Sequence, residues 1–418
     1  MILAATTFLA LQTFTNPAAG EDASGKLLPG AKPLTLEGDL AERMLDGAHR
    51  YLDRKLEQTV AERAKRWASA NASPKERETF LKEARRELAR ILGVTDERVS
   101  YEAPSLAGTT VRPAKVATGD GYEVFAIRWP TLDGMFGEGL LLQPAGRKPT
   151  ADVVAIPDAD QTPEAFAGLT EGTPPEGQLP RRLAESGCRV VVPALVDRTI
   201  RSHSERRGRV KLSNREFLHR PAFLMGRTLQ GYELQKVLAI VDWFAKDGSG
   251  AIGIAGWGEG AMLALRAAAL DVRVKAVCAS GHFGPREDMW KEPLERSVFG
   301  FLTLFGDAEL AGMIAPRAGG VEAAKGPEVT IAAPGAAPGR LTTPGPAEVR
   351  AEHARARKLA GKADENVRFF ASGKDGKGNA GGSEAPEAFA KALGIKVGAK
   401  VGKAPKAIDP LPDSKARN

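Results

Sequence analysis

The chain has 418 residues, a formal net charge of +7 and two cysteines. Its length predicts two to three domains or one large domain with appended segments, and its 43% hydrophobic content is typical of a globular protein. Cys188 and Cys278 can form at most one bridge, which excludes a disulfide-stapled scaffold. No run of about 18 apolar residues occurs, which excludes a multispanning membrane protein.

The positive charge is concentrated in two segments. Residues 391–418 carry a net charge of +5 and residues 198–220 carry +6, so the rest of the chain carries −4. A nucleic-acid-binding domain usually spreads its basic residues over one face of the fold. We therefore interpret the excess as a solvated tail and one basic loop rather than a polyanion site, and we predict no nucleic-acid partner.

Residues 1–20 have the pattern of a secretory signal peptide. An apolar run over residues 1–14 is followed by Ala18 and Gly20, a small-residue pair typical of a cleavage site. No Lys or Arg precedes the run, so a short buried helix or an incorrectly assigned start remains the alternative. Export predicts a secreted or periplasmic protein, in which a bridge between Cys188 and Cys278 would be permitted but not required.

Two helices are predicted over residues 37–99, after a polar linker over residues 21–36. Apolar residues recur at helical spacing from residue 40 to residue 60. Pro74 has the place of a first-turn proline, and Gly93 closes the second helix. Both patterns carry abundant charge on the far side, which predicts a packed helical hairpin.

Strand-like and helix-like patterns alternate over residues 100–395. This alternation predicts an α/β domain with a doubly wound, mostly parallel sheet and helices on both faces. The predicted strands are 122–129, 139–143, 152–156, 189–192, 252–255, 274–278 and 367–370. The predicted helices are 179–186, 232–246, 261–270 and 386–393.

Three segments depart from this alternation. Residues 197–229 form an Arg-rich insertion, and residues 332–346 are rich in Ala, Gly and Pro and predict a flexible excursion. Residues 396–418 have no periodicity and predict a disordered basic tail.

The most informative motif is Gly256-Trp257-Gly258-Glu259-Gly260, between a predicted strand and a predicted helix. In this position α/β-hydrolases carry G-x-S-x-G, a tight turn that presents the serine nucleophile above the sheet. With the segments 220–231 and 270–277, the motif resembles the acetyl xylan esterase and dienelactone hydrolase branch of that superfamily. The resemblance covers about residues 122 to 395. It implies hydrolysis of carbohydrate esters or small lactones by a nucleophile, a histidine and an acid, without a cofactor.

The resemblance transfers only in part to this sequence. The nucleophile position is Gly258, which has no side chain that could attack an ester. The acid would be Glu322. The loop expected to supply the histidine, residues 371–381, contains none, and only His282 follows a predicted sheet strand.

Other combinations of residues are weaker candidates for catalysis. Ser280 and His282 are two residues apart, a spacing that generally directs side chains to different sides and disfavours a Ser–His pair. Glu259 starts a predicted helix, where a structural cap is a better interpretation than a general base.

The strand ends also offer candidate binding residues: Asp158, Trp257, Ser280 and Arg286. Asp158 and Asp160 favour a turn, since two carboxylates facing an oxyanion would repel it. Together with Asp197 they lack a compact metal-ligand spacing, so we predict neither metal nor cofactor. Trp257 could stack on a sugar or simply pack in the core.

Two hypotheses about function follow. The chain is an esterase-like hydrolase whose catalytic residues are not recognisable, or it is a pseudo-hydrolase that serves as a binding or scaffolding module. A glycine at the nucleophile position and a missing histidine are two independent departures from the pattern that serine hydrolysis requires. We therefore predict that serine-nucleophile activity is absent. The predicted ligand is a carbohydrate ester or another small molecule.

Overall fold

The structure is a computed structural model that describes residues 29–32, 35–69, 73–109, 112–203, 211–248, 250–332, 336–396 and 402–407. The predicted signal peptide lies outside the described residues. The chain divides into two units, Met1–Arg54 and Lys55–Asn418. The described part of the first unit includes the first half of a long helix, where His49 Nδ1 lies 3.0 Å from Asp53 Oδ2.

The strands, in chain order, are β1 (Ser105–Leu106), β2 (Lys115–Gly119), β3 (Tyr122–Leu132), β4 (Met135–Pro144), β5 (Ala151–Ile156), β6 (Arg189–Pro193), β7 (Ile200–Ser202), β8 (Lys211–Ser213), β9 (Ala251–Trp257), β10 (Val274–Ser280), β11 (Ala318–Ala323), β12 (Val329–Ile331), β13 (Gly339–Leu341), β14 (Val367–Ala371) and β15 (Lys406–Ala407).

The α-helices are α1 (Leu40–Ser69), α2 (Pro74–Leu92), α3 (Pro163–Phe166), α4 (Leu179–Glu185), α5 (Asn214–Leu224), α6 (Leu229–Asp247), α7 (Glu259–Leu270), α8 (Phe301–Leu304), α9 (Asp307–Ile314), α10 (Pro346–Ala360) and α11 (Ala385–Ala392). Short 3-10 turns cover Pro175–Gly177, Met289–Lys291, Leu294–Arg296 and Gly361–Asn366.

The described strands of the main sheet follow the order β14-β11-β10-β9-β5-β6-β4-β3-β2-β15, and β1 pairs with β3. From β14 to β6 every neighbouring pair is parallel, whereas β4, β3, β2 and β15 are antiparallel. The prediction of a mostly parallel sheet with helices on both faces is confirmed.

Both faces of the central sheet are covered, which explains why its strands read as continuous apolar runs. Successive side chains of a strand point to opposite faces. In β5, Val154 packs in a core with α6 and α7, whereas Val153 packs in a second core with α4 and α11. Every residue of β5 is buried.

Helix α2 begins and ends at the residues that the sequence predicts. The Ser73 hydroxyl accepts a hydrogen bond from the Glu76 N–H, Pro74 is in the first turn, and Gly93 ends the helix in a left-handed conformation. Trp67 packs edge-on against Phe80 at 5.1 Å between ring centroids.

Two segments that we predicted to be irregular contain ordered strands. Within 332–346, β13 pairs with β12 in an antiparallel hairpin. Within 396–418, Lys406 and Ala407 pair with β2 at the edge of the sheet. Backbone hydrogen bonding therefore orders parts of both segments although their side chains carry no strand pattern.

The two cysteines are buried and unbridged. Burial raises the pKa of the Cys188 thiol to about 12 and raises that of Cys278 as well. Both thiols therefore stay protonated at neutral pH.

Among the described residues, no single helix has the length and apolar character needed to cross a membrane. One bent pair of segments, Leu294–Leu304 and Asp307–Ile314, meets that test only when both are taken together.

Candidate functional site

The turn between β9 and α7 keeps the backbone geometry of a strained strand-to-helix elbow. Gly258 has φ +57° and ψ −117°, a combination that side-chain-bearing residues adopt only under strain. Its N–H donates a hydrogen bond to the Ser280 carbonyl oxygen at 3.1 Å, which ties the turn to the end of β10. The elbow is therefore present, but it presents no side chain.

The space above Gly258 is occupied by two other residues. A Cβ placed on Gly258 would lie 2.7 Å from Cδ of Pro327 and 2.8 Å from Oδ1 of Asp158. Carbon atoms in van der Waals contact are about 3.5–4.0 Å apart. A serine at this position would overlap with the proline ring and the carboxylate.

Asp158 also accepts the hydrogen bond of an amide that would otherwise form part of an oxyanion hole. In the hydrolase elbow, the N–H of the residue after the nucleophile stabilises the oxyanion. Here that amide belongs to Glu259, and it donates to Asp158 Oδ1 at 3.0 Å. The second oxygen of Asp158 accepts the Asp160 N–H at 3.1 Å, so the predicted turn forms as well.

The Glu259 side chain does not cap α7, which corrects our structural interpretation of this residue. It is fully buried and accepts hydrogen bonds from three guanidinium groups: Arg215 at 2.8 Å, Arg296 at 3.1 Å and Arg198 at 3.2 Å. Burial alone would raise the pKa of this carboxyl, but the attraction of Arg296, Arg215 and Arg198 outweighs burial and holds the pKa far below its usual range. Glu259 is therefore a permanent carboxylate whose oxygens are already engaged.

Two of these arginines come from the basic insertion, so part of its charge is neutralised inside the fold. Arg198 binds both oxygens of Asp158, at 2.7 and 3.3 Å, and Asp160 at 3.0 Å. Arg215 binds both oxygens of Glu233, at 2.8 and 3.0 Å.

His282 lies beside the elbow, but the lone pair of its Nδ1 atom already accepts a hydrogen bond. A guanidinium only donates hydrogen bonds, so the 3.2 Å contact from Arg296 Nη2 makes Nδ1 the acceptor and leaves the proton on Nε2. Nε2 faces Asp307 Oδ2 at 3.5 Å. Burial lowers the pKa of this imidazole despite the opposing effect of Asp307. A neutral histidine with an occupied acceptor nitrogen is unsuited to act as a base.

Ser280 and His282 do not form a pair. The Ser280 hydroxyl donates to Glu322 Oε2 at 2.6 Å, whereas His282 contacts Arg296 and Asp307. Glu322, at the end of β11, also accepts the Gly381 N–H at 2.9 Å and the Ser383 hydroxyl at 2.6 Å. Glu322, at the position expected for the catalytic acid, thus anchors the loop 371–381, in which the expected histidine is missing.

The remaining space at the elbow holds about one water molecule. We call it the elbow pocket; its volume is about 20 Å³, and it is lined by Gly258, Gly281, His282, Arg286, Glu292, Arg296, Pro327, Leu341, Thr342 and Pro344. Pockets for small molecules usually measure about 300–1,000 Å³. Arg286 donates to the carbonyl oxygens of Gly284 and His282, at 3.1 Å each, and to Glu292 at 3.2 Å.

A larger cavity opens at the same edge of the sheet. We call it the rim cavity; its volume is about 380 Å³, and its lining includes Gln161, Phe166, Thr173, Trp257, Lys325 and Asn379. Trp257 is half-buried, and its Nε1–H donates to the Lys325 carbonyl oxygen at 2.8 Å. Gln161 Nε2 donates to Thr173, while the buried Gln161 Oε1 has no hydrogen-bond partner.

Sequence reasoning missed several residues that determine this site. Pro327, Arg215 and Arg296 lie in segments without a recognisable motif, and their roles depend on contacts between distant parts of the chain. The Arg-rich composition of the insertion was the available signal for Arg198 and Arg215. Within the described ranges, no three His, Cys, Asp or Glu side chains form a group that could hold a metal ion.

No protein-family model and no curated protein matches the sequence. Solved structures do match. A candidate acetyl xylan esterase from Bacteroides fragilis NCTC 9343 is 16% identical with a TM-score of 0.50, and the alignment covers 72% of this chain and 76% of that one. Methylesterase BT1017 is 18% identical with a TM-score of 0.54, and the alignment covers 86% and 73%. The chain has the α/β-hydrolase fold, as the elbow motif predicts.

Proposed function

We propose that this chain is a non-catalytic member of the α/β-hydrolase fold that binds a carbohydrate in the rim cavity. The observation that carries the first half of the proposal is the elbow itself. Pro327 and Asp158 occupy the space that a nucleophile side chain would need, and Asp158 accepts the hydrogen bond of the Glu259 N–H. Serine catalysis needs that space and that amide together.

The composition of the rim cavity supports a sugar ligand. An indole ring offers an apolar face for the C–H groups of a sugar, while hydroxyl and amide groups bind its hydroxyls. Trp257, Thr173 and Asn379 supply these groups, and the unpaired Gln161 Oε1 is a buried acceptor that a sugar hydroxyl would satisfy. The neighbour named as a candidate acetyl xylan esterase suggests xylan as the first polysaccharide to test.

A fluorophosphonate probe and p-nitrophenyl acetate test the loss of catalysis. We expect no covalent labelling and no burst, either for the natural chain or for Gly258→Ser, since the variant would still lack a free oxyanion amide and a free base. A known serine esterase is the positive control. Stoichiometric labelling of the natural chain would overturn the proposal, and labelling of Gly258→Ser would show that the glycine alone is responsible.

Calorimetric titration with xylotriose tests the carbohydrate ligand. Loss of an aromatic stacking partner costs about 0.5–1.5 kcal/mol beyond the area lost, so we expect Trp257→Ala to weaken binding by about tenfold. Trp290→Ala is the matched control because Trp290 is half exposed and does not line the cavity. Equal affinity of both variants would contradict binding in the rim cavity.

Export is a further part of the proposal, and it rests on the sequence of residues 1–20 alone. Expression of the full chain in a secreting host, followed by mass determination of the N-terminus, tests it. Cleavage near residue 20 is the expected result, and an intact cytoplasmic product would contradict it.

A further inference from the structure

A second cavity lies away from the elbow, between the β3–β4 hairpin, the basic insertion and α6. We call it the hairpin cavity; its volume is about 380 Å³, and its lining includes Arg128, Phe136, Glu138, Arg201, His203, Phe217 and Lys236. None of the catalytic positions of the hydrolase fold lines it, so it calls for a separate explanation.

The charges of this cavity do not balance. Its lining has three cationic side chains and one carboxylate. Glu138 pairs with Arg128, with Oε1 3.4 Å from Nε. The structure records no hydrogen bond or ion pair from the side chain of Arg201 or Lys236 to any of the described residues. Within the described part of the chain, two positive charges of this cavity therefore have no partner.

Lys236 is the more informative of the two cations because it is half-buried in the middle of a helix. Desolvation by burial lowers its pKa, Glu233 and Glu138 oppose that effect, and Arg215 adds to it. An ammonium in this position has lost part of its water contacts, and no described residue gives it a hydrogen bond or an ion pair in return. An anionic ligand would supply that partner.

The walls of the cavity also contain aromatic side chains. Phe217 stacks on His203 with ring centroids 3.9 Å apart and an interplanar angle of 3°. Phe136 is 43% exposed, and the Arg128 guanidinium lies 4.1 Å from its ring centroid. Flat apolar surfaces beside two unpaired cations fit a ligand that has both a ring and a negative charge.

We propose that the hairpin cavity binds a small aromatic carboxylate, with its carboxylate directed to Lys236 and Arg201 and its ring against Phe217 and Phe136. The cavity volume of about 380 Å³ lies within the range of small-molecule pockets and is large enough for a one-ring acid. This ligand is independent of the carbohydrate proposed for the rim cavity.

Titration of the full chain with trans-cinnamate, followed by ligand-observed NMR and calorimetry, tests the proposal. We expect saturable binding of cinnamate, at least about tenfold weaker binding of the neutral analogue cinnamyl alcohol, and weaker binding of inorganic phosphate. Equal binding of the alcohol would overturn the role of the charges. Equal binding of phosphate would overturn the role of the ring, and no binding of cinnamate would overturn the proposal.

Variants locate the ligand. Lys236→Met keeps the length and apolar stem of the side chain and should weaken cinnamate binding by about tenfold, the effect of one lost charge-assisted hydrogen bond. Lys246→Met is the matched control, because Lys246 lies on the same helix and pairs with Glu102 outside the cavity. Arg201→Gln, at an exposed position, serves as a second variant if Lys236→Met does not fold. Unchanged affinity in a folded cavity variant would contradict this site.

Phe217→Ala tests the aromatic wall. Phe223→Ala is its matched control, because Phe223 lies on the same helix but does not line the cavity. We expect a several-fold loss of cinnamate affinity for Phe217→Ala alone. An equal loss in both variants would indicate an indirect effect on α5 and would overturn the contact.

Discussion

The elbow pocket and the hairpin cavity both lie beside the Arg-rich insertion, yet they use its charge in opposite ways. At the elbow, Arg198 and Arg215 are buried against carboxylates, and the space left measures about 20 Å³. At the hairpin cavity, Arg201 lines a space of about 380 Å³ together with Lys236, which has no ion pair with any described residue. A cluster of basic residues in a sequence therefore does not indicate a ligand unless its counter-charges are located.

The two regions also differ in what would happen if one charge were removed. Removing one partner from a buried ion pair leaves an uncompensated charge in a low-dielectric environment, whereas an exposed pair is worth about 0–1 kcal/mol. The elbow cluster consists of buried ion pairs, whereas the Glu138–Arg128 pair of the hairpin cavity is partly exposed. Glu259→Gln and Glu138→Gln test this contrast directly, and two further variants test the space above Gly258 and a buried histidine of the insertion.

Glu259→Gln should have the largest effect. It leaves Arg198, Arg215 and Arg296 without their shared carboxylate, and we expect a loss of about 3–5 kcal/mol in the free energy of unfolding, measured by urea denaturation. Glu102→Gln, which removes an exposed partner of Lys246, is the control and should cost less than about 1 kcal/mol. Similar losses in both variants would mean that the elbow cluster does not contribute as a buried network.

Gly258→Ser should destabilise the fold by about 2–4 kcal/mol, through backbone strain and overlap with Pro327 and Asp158. Gly248→Ser is the matched control, because Gly248 has φ +65° but nothing within 4 Å of an added Cβ. The difference between the two variants reports the overlap together with the extra backbone strain at Gly258, whose ψ is −117° compared with 21° at Gly248. If both unfold at the same urea concentration, the space above Gly258 is open.

His219→Gln should flatten the pH dependence of stability. Burial and the nearby Arg215 lower the pKa of His219 to about 4, from an unfolded value of about 6.5. Its contribution is therefore present above pH 6.5 and is lost as the pH falls from about 6.5 to about 4. We expect the natural chain to lose about 2 kcal/mol more than the variant over this interval in urea titrations. Parallel pH profiles would show that His219 is not held neutral.

Glu138→Gln should have the smallest effect on stability, below about 1 kcal/mol, because its pair with Arg128 is partly exposed. The variant removes the only carboxylate among the described lining residues of the hairpin cavity, so cinnamate affinity should rise by a few fold. Urea denaturation and NMR titration measure the two effects. A fall in affinity would indicate that Glu138 binds the ligand directly.

Much of the fold could be predicted from local patterns. The apolar runs at 152–156 and 189–192 are buried parallel strands, and Pro74 and Gly93 bound α2 as expected. These predictions succeed because side-chain periodicity, caps and left-handed glycines depend on neighbours within a few residues. The strand β15 was missed since backbone pairing with β2 requires no side-chain pattern.

The sequence by itself determined the fold class and the glycine at the nucleophile position of the elbow, because the flanking glycines and Gly258 are local facts. Only the tertiary structure decided what fills the empty position. Pro327 lies 69 residues further along the chain and Asp158 lies 100 residues before it, and no spacing rule connects them to the elbow. The same holds for Lys236 and Arg201: whether a cation is paired or free depends on which distant carboxylates the folded chain brings within a few ångströms.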